Sequence, residues 1–457
     1  MHAIGIILKE IREGTGVPLQ EVQQNVGIDL TQLSRIENGK RLPTIEQIQR
    51  LAKFYNYDDA KLLIQRESDK IISSLDSPEI ATEALKVAEK KIAFGNKYLS
   101  LFQDTIYQKY IALESRRYIG SKAKLSDWIL DLIDSETEGI QTFADIFAGT
   151  ATISAKALSK YKKVIVNDFL YANNIIYKGF FEAGDWDKEK INEIITNYNS
   201  LDAESLPDNY FSKNFGGKFY EYNISKQIGY IRQDIEIIKN KLTPKEYNIL
   251  LATLIYNIDK LANTVGHFDA YIKKPIKPQS LRMRLIDAMG YNNIEIYRED
   301  ANLLSRKISS DLVYIDPPYN SRQYCRFYHL YETLVKWDKP KLHGVALKPD
   351  PENMSAYCTV KARDRFEDLV SNLNTRYLVV SYNNTYNSKS NSSENKIKLE
   401  EISDILNRCG KTKTFECSHR FFNTGKTEFN DHKELLFITK VDEERKSKSF
   451  PSILRWG

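Results

Sequence analysis

The sequence lacks a hydrophobic run long enough to cross a membrane. One of its longest apolar stretches, residues 249–255, is bounded by polar and charged residues, whereas a transmembrane helix needs about 20 apolar residues. We expect a buried helix there. The amino terminus also lacks a secretory signal pattern, because Lys9, Glu10, Arg12 and Glu13 interrupt any apolar segment. We therefore expect a cytoplasmic protein with no membrane partner.

Cysteine is equally scarce. The chain has four cysteines, Cys325, Cys358, Cys409 and Cys417, and they are widely spaced. The last two lack the neighbouring ligands that a zinc site needs. We expect free thiols and no metal site.

A strong excess of one charge is also absent. The 66 lysines and arginines against 61 acidic residues give a formal charge of +5, which alone does not establish a nucleic-acid partner. Aromatic rings are abundant, with 28 Tyr and 20 Phe available for stacking. The length of 457 residues suffices for two or three domains.

The sequence has no glycine-rich phosphate motif at its first predicted strand-turn-helix unit. Segment 143–152 contains a small-residue turn, but it matches neither the Walker pattern nor the three-glycine dinucleotide fingerprint. The next predicted strand, 163–166, is followed by Asp168, and an acid at that place usually binds the hydroxyl groups of a ribose. These features favour a nucleoside ligand without phosphates.

The most informative stretch is Asp316-Pro317-Pro318-Tyr319, which ends the apolar run 311–315. The prolines hold an extended loop at the carboxyl end of a predicted strand, where open α/β sheets bind ligands. The Asp316 carboxylate and the Pro317 carbonyl can each accept a hydrogen from an NH2 group while Tyr319 stacks on the heterocycle. This grip aims the nitrogen lone pair at an electrophile, which suits methylation of a base amine. The alternative is an ordinary Pro-Pro turn.

A compact helical module is predicted at the amino terminus, with Asp29 as the N-cap of its third helix. Its four helices are predicted at residues 4–13, 19–26, 30–37 and 45–55. Residues 33–43 resemble the repressor-type helix-turn-helix family, in which the third helix enters the major groove. That resemblance implies DNA contacts by Thr31, Gln32, Ser34 and Arg35, with Leu33 and Ile36 packed inward. The alternative is a bundle used for dimerisation or domain contact.

Four further motifs, in chain order, resemble those of the S-adenosylmethionine-dependent DNA adenine-N6 methyltransferases of restriction-modification systems. They lie at residues 118–122, 145–150, 167–168 and 316–319. The resemblance implies that Phe147, Gly149 and Thr150 line the methionine end of the cofactor and that Asp168 holds its ribose. The complete set of implied cofactor-binding residues is Tyr118, Gly120, Ser121, Lys122, Asp145, Phe147, Gly149, Thr150, Asp168 and Asp300.

Three of these residues have alternatives. Asp300 is implied to lie beside the cofactor's adenine, but the adjacent Glu299 could take that role. Asp145 could instead be a structural acid that caps the turn. Ser121 is also a candidate cap for a helix predicted at 123–132, where exposed NH groups could receive a carboxylate.

The interval between Asp168 and Asp300 is much longer than one strand-helix-strand step needs, which predicts an inserted domain. Its aromatics and lysines suit a DNA-facing surface, and the resembled family recognises its target in this interval. His267 in this interval could equally be a core histidine. Beyond the Pro-Pro turn, Arg322 and Tyr324 are predicted DNA contacts.

The predicted fold class is α/β, a Rossmann-like methyltransferase sheet with an inserted target-recognition domain, preceded by an all-α helix-turn-helix domain. The predicted boundaries are 1–60 for the helix-turn-helix, 61–113 for a helical connector, 114–442 for the methyltransferase with its insertion at 175–290, and 443–457 for a basic tail. The predicted reaction moves methyl from S-adenosylmethionine to adenine N6 in duplex DNA by base flipping. Cytosine-N4 methylation and a DNA-binding regulator with a cofactor-sensing domain are the alternatives. A cognate restriction endonuclease is an admissible partner, and the oligomeric state stays open.

Overall fold

The computed structural model describes residues 3–73, 110–318, 322–384, 397–418 and 433–443. The chain divides into two compact units, Met1–Lys109 and Tyr110–Gly457. The first unit is helical, with α1 (Ala3–Thr15), α2 (Leu19–Val26), α3 (Leu30–Glu37), α4 (Ile45–Tyr55) and α5 (Asp59–Ser73). The first four helices lie where the sequence predicted them.

Asp29 caps α3 as predicted, because its carboxylate accepts hydrogen bonds from the backbone N–H groups of Thr31 (2.9 Å) and Gln32 (3.2 Å). Leu33 and Ile36 are buried against the other helices of this unit. The inward face predicted for α3 is therefore confirmed.

Helix α5 belongs to the same bundle. Leu62 and Leu63 are buried in its core, and the buried Asp69 carboxylate accepts a hydrogen bond from the backbone N–H of Ile4 (2.7 Å). The boundary expected at residue 60 thus falls inside a packed unit. Most of the predicted connector, residues 74–109, lies outside the described residues.

Helices α1 and α3 approach closely at Gly5. A Cβ atom there would lie 2.0 Å from the backbone oxygen of Ile36 and 3.0 Å from the backbone nitrogen of Gly39. We expect Gly5→Ala to lower the free energy of unfolding of this unit by about 1–3 kcal/mol, because backbone would have to move.

Gly14→Ala is the matched control in the same helix. Gly14 has open space around it, so alanine should add up to about 1 kcal/mol of helix propensity. Thermal denaturation of both variants checks the pair. If Gly5→Ala is as stable as the wild type or more stable, the close approach of the two helices at Gly5 does not contribute to stability.

The second unit is built on a seven-stranded sheet with the order β3-β2-β1-β4-β5-β7-β6. Its strands are β1 (Thr142–Asp145), β2 (Lys163–Asn167), β3 (Ile294–Tyr297), β4 (Ser309–Ile315), β5 (Asn374–Asn383), β6 (Gly410–Ser418) and β7 (Lys433–Val441). The first five strands pair in parallel, whereas β7 is antiparallel to both of its neighbours. The predicted α/β class is confirmed.

Helices cover both faces of this sheet. They are α6 (Ser126–Glu136), α7 (Thr152–Leu158), α8 (Tyr171–Phe180), α9 (Lys188–Asn199), α10 (Tyr210–Phe215), α11 (Tyr222–Ile237), α12 (Pro244–Asp259), α13 (Ala301–Leu304), α14 (Tyr324–Phe327), α15 (His329–Lys336), α16 (Ala362–Asn372) and α17 (Leu399–Asn407). Successive strand residues point to opposite faces. Leu312 accordingly joins the core beneath α6–α12 and α15, and Val313 joins the core beneath α13, α16 and α17.

The interval 175–290 is helical up to Asp259 and irregular beyond it, and its helices share their core with the sheet. Ile191 of α9, Ile231 of α11 and Leu254 of α12 are buried in the same hydrophobic cluster as Val164 of β2. Residues 249–255, predicted to form a buried helix, lie in α12 and are buried. Among the described helices, none is long and apolar enough to cross a membrane.

The predicted start of the helix at residue 123 was wrong. Helix α6 begins at Ser126, and its N-cap position is Leu125. The Ser121 hydroxyl instead accepts a hydrogen bond from the Ala123 N–H (3.4 Å) within the preceding turn. Ser121 is therefore not the cap of α6.

Candidate active site

An open cleft lies at the carboxyl ends of β1, β2 and β4. Its empty volume, including solvent at the mouth, is about 960 Å³. The predicted residues that line it are Tyr118, Gly120, Lys122, Asp145, Phe147, Gly149, Thr150, Asp168, Asp300, Asp316, Pro317, Pro318 and Tyr324. Ser121 is not in the lining, although its hydroxyl lies 3.5 Å from that of Thr150. Tyr319 lies outside the described residues.

Asp316 directly follows β4 and pairs with Lys122. Its Oδ1 atom lies 3.1 Å from the Lys122 Nζ atom, and both side chains are largely buried. Burial raises the pKa of Asp316 to about 6, the Lys122 charge opposes the rise, and the nearby Glu434 carboxylate adds to it. The carboxylate therefore lines the cleft with one oxygen in an ion pair with the Lys122 ammonium.

Asp145 is the last residue of β1, and one of its carboxylate oxygens makes no hydrogen bond with the described residues. Its Oδ2 atom accepts a hydrogen bond from the Ser154 hydroxyl of α7 (2.7 Å). Its Oδ1 atom is buried and makes no hydrogen bond with the described residues. Burial raises the pKa of Asp145 to about 7, against the stabilising Ser154 bond. Asp145 thus ties β1 to α7, and one acceptor atom remains for a cationic ligand group.

Asp168 fixes the turn between β1 and α7. Its carboxylate accepts hydrogen bonds from the backbone N–H groups of Gly149 (3.0 Å) and Leu170 (2.9 Å). Gly149 has φ 53° and Ala151 φ 56°, so this turn is left-handed. A Cβ at Gly149 would lie 3.3 Å from the Tyr118 ring. Burial raises the pKa of Asp168, while these N–H groups lower it. Each of its oxygens retains a second lone pair for a ligand hydroxyl.

Tyrosine rings stack along one wall. The Tyr118 ring lies 4.6 Å from that of Tyr328 (interplanar angle 6°) and 5.6 Å from that of Tyr324 (27°). The Arg116 guanidinium lies 4.8 Å from the Tyr118 ring centre. Tyr324, predicted to contact DNA, is thus placed in the wall of the cleft, and its contact with DNA stays a prediction.

Asp300 caps the short helix α13, since its Oδ1 atom accepts hydrogen bonds from the N–H groups of Asn302 (3.0 Å) and Leu303 (3.2 Å). Glu299 also lines the cleft, and its side chain pairs with Lys307. The geometry leaves both acids beside the cleft. Either Asp300 or Glu299 could therefore contact the cofactor's adenine.

Sequence reasoning missed part of the cleft wall. Gln323 donates a hydrogen bond from Nε2 to the Ser355 backbone oxygen (2.8 Å) and accepts one from the Ser355 N–H (2.7 Å). Tyr357 meets the Phe147 ring edge to face at 5.1 Å. These contacts join segments far apart in the chain, and no local motif signals them.

The other predicted contacts lie outside this cleft. Arg322 is exposed and its guanidinium lies 3.7 Å from the Asp269 carboxylate. His267 is buried against Phe327, with ring centres 4.9 Å apart, and burial lowers its pKa. It is the core histidine of the two alternatives. On α3, Thr31 and Arg35 are exposed, and Gln32 and Ser34 are partly exposed.

The seven-stranded sheet with its antiparallel seventh strand, and the cleft at the carboxyl ends of its strands, are typical of a methyltransferase. The chain belongs to the D12 class of N6 adenine-specific DNA methyltransferases, whose family it matches over residues 118–390. Residues 8–62 match a helix-turn-helix family. The protein is therefore an enzyme that methylates adenine N6 in DNA, and the predicted activity is confirmed.

Named relatives agree with this assignment. The chain is 30% identical over 329 residues to the type II methyltransferase M.NlaIII of Neisseria lactamica, covering 69% of this chain and 95% of that protein. It is 30% identical to the type II methyltransferase M.CviAII of Paramecium bursaria Chlorella virus 1, covering 71% and 98%. It is also 30% identical to M.FokI of Planomicrobium okeanokoites, where it spans 53% of the relative's length. The modification enzymes of restriction-modification systems are thus its relatives.

Proposed function

We propose that S-adenosylmethionine is the methyl donor and that it binds in the cleft. The observation that carries this proposal is the convergence of Asp145, Asp168 and Asp316, from three neighbouring strands, on one cavity. The cofactor supplies an electrophilic methyl group on a sulfonium. Asp145 Oδ1 suits its ammonium, and Asp168 suits its ribose hydroxyls.

The target adenine enters the same cleft from the DNA side. Because N6 lies inside the base stack of duplex DNA, the base must be flipped out, at a cost of a few kcal/mol. Asp316 and the Pro317 carbonyl then accept hydrogen bonds from the two N–H groups of the amine. Pro318 keeps the loop extended, and Tyr319 stacks on the base. The amine lone pair is thereby directed at the methyl group without full deprotonation. The N–CH3 bond would form as the S–CH3 bond breaks, with S-adenosylhomocysteine as the leaving group and one N6 proton lost after the new bond has formed.

Sequencing of single DNA molecules from cells that express the protein tests the reaction and its site together. We expect N6-methyladenine within one short sequence context. N4-methylcytosine in its place would favour the cytosine alternative. Unmodified DNA, combined with promoter binding, would favour the regulator that only senses the cofactor.

Target recognition is assigned to the interval 175–290 and to Arg322. The segment from Ile272 to Lys277 is mostly exposed and includes three lysines, as a phosphate-binding surface requires. A cognate restriction endonuclease is the expected partner in the cell, because the relatives are modification methyltransferases. Because its substrate is DNA, we propose that the enzyme works in the cytoplasm.

The helix-turn-helix unit is proposed to read an operator in the gene's own promoter, separate from the methylated site. Arg35 is exposed on α3, and a bidentate contact with guanine is worth about 1–3 kcal/mol of discrimination. We expect Arg35→Ala to weaken promoter binding by about 5- to 150-fold and to leave methylation specificity unchanged. Electrophoretic mobility shifts on promoter DNA and methylation assays measure the two effects.

Arg50→Ala is the matched control, because Arg50 is an exposed arginine of the same unit that pairs with Glu46. It should bind the promoter like the wild type. A chain that begins at Tyr110 should keep sequence-specific methylation. If that chain is folded but has lost specificity, the helix-turn-helix unit serves target recognition and the regulatory proposal is wrong.

A further inference from the structure

Glu434 is a charged residue on an inner strand of the sheet. It lies on β7 in register with Asn383 of β5, and it is only 4% exposed. A buried carboxylate costs several kcal/mol unless a cation and hydrogen bonds compensate it. A buried acid at this position therefore needs a cationic partner. That partner also contacts a residue of the active site.

That partner is Lys122. The Lys122 Nζ atom lies 2.9 Å from Glu434 Oε1 and 3.1 Å from Asp316 Oδ1, so one ammonium bridges two carboxylates. The Ser381 hydroxyl of β5 donates a hydrogen bond to the same Glu434 oxygen (2.8 Å). A chain of contacts thus runs from β5 through β7 to the residue that follows β4.

Two fixed contacts restrict Lys122 far more than one. A lysine side chain has a flexible stem of four carbons, and an ammonium paired with Asp316 alone could follow that carboxylate as it moves. With Glu434 as a second anchor on the sheet, Lys122 and the Asp316 oxygen that it holds stay in place. The other Asp316 oxygen then has a defined direction.

We propose that Glu434, oriented by Ser381, is a positioning residue for methyl transfer: it anchors Lys122 so that Asp316 presents one fixed oxygen to the target amine. The inference rests on the proposed role of Asp316. Glu434 does not line the cleft, whereas Lys122 does, so the effect of Glu434 reaches the reaction through that lysine.

The arrangement has an electrostatic signature. The charged groups that shift the pKa of Asp316 are Lys122 and, on β7, Glu434. The Asp316 charge in turn raises the pKa of Asp145 on β1 and of Tyr314 on β4. The negative charge of Glu434 raises the pKa of Asp316, and the positive charge of Lys122 lowers it. Removal of either charge should therefore shift the acidic limb of the activity profile, in opposite directions.

The test compares kcat against pH for Glu434→Gln, Lys122→Met and the wild type. Glu434→Gln should lower kcat by about tenfold, with little change in the KM for DNA, because the shape is kept and the anchor is weakened. Its acidic limb should move to lower pH by about 0.5–1 unit, and that of Lys122→Met should move to higher pH. Glu416→Gln, an exposed acid of β6 paired with Lys433, is the matched control and should match the wild type.

Wild-type kcat and an unmoved acidic limb in Glu434→Gln would overturn the inference. If that variant does not fold, Ser381→Ala decides: a kcat lowered about threefold or more with unchanged cofactor affinity supports the inference, and wild-type kcat overturns it. Asp316→Asn distinguishes a failure of the proposed role of Asp316 from a failure of the proposed role of Glu434. Full activity of Asp316→Asn removes the proposed function itself, whereas an inactive Asp316→Asn with a normal Glu434→Gln removes only the role of Glu434.

Discussion

Asp316→Asn should lower the rate of methyl transfer by about 10²–10⁴-fold while cofactor binding stays close to that of the wild type. Asparagine keeps the shape, but its amide nitrogen cannot accept a hydrogen from the adenine amine. Lys122 would still be paired with Glu434, 2.9 Å away, so the substitution does not leave an isolated buried charge. The loss should therefore fall on the reaction and not on the fold.

Single-turnover methylation measures the first quantity, and calorimetric titration with S-adenosylmethionine alone measures the second. The comparison within one variant serves as its own control, since a misfolded protein would lose both. Methylation at the wild-type rate would refute the role of Asp316.

Cofactor affinity should depend on pH through Asp145. The pKa of this carboxyl group is raised to about 7 by burial, and only its ionised form attracts the cofactor's ammonium. Below pH 7 a growing share of the enzyme is protonated at Asp145, so affinity should fall by up to about tenfold for each pH unit. It should approach its limit near pH 8, where the cofactor's own ammonium begins to lose its proton.

Asp145→Asn should bind the cofactor about 10²-fold or more weakly at pH 8, because an ammonium in a buried site would lose its counter-charge. The variant should also lose the dependence on pH between 6 and 8. Titration calorimetry at three pH values gives both results. Asp127→Asn, at an acid whose side chain is 86% exposed, is the control and should retain the wild-type profile. A pH dependence that survives in Asp145→Asn would assign it to another group.

The parts of the site that could be predicted from the sequence are those defined by short local motifs. Asp145, Asp168 and Asp316 each follow a short apolar strand, and a parallel sheet brings such strand ends to one edge. The helices of the first unit were predictable for a similar reason, because caps such as Asp29 and turns such as that at Gly27 mark their ends. In both cases a few neighbouring residues carry the information.

Contacts between distant segments were not predictable in this way. Glu434 reads in the sequence as the first residue of an apolar strand predicted at 434–439, and only the pairing of β7 with β5 brings it to Lys122. In the sequence Tyr324 is an aromatic residue in a polar segment predicted to be a loop. In the structure it lies on α14, where its ring stacks on that of Tyr118. The start of α6 was missed because Ser121 forms a local turn and the helix begins without a side-chain cap.

The core shared by α9–α12 and the sheet limits how DNA specificity can be redesigned in this enzyme. Asp259, at the end of α12, accepts hydrogen bonds from the Tyr331 hydroxyl (2.7 Å) and the Arg117 backbone N–H (3.0 Å). Grafting the whole 175–290 interval from a relative would therefore replace one half of many interlocked contacts and mismatch the other half. Exposed segments such as 272–280 are better sites for exchanging specificity, because their replacement leaves the buried contacts of this enzyme unchanged.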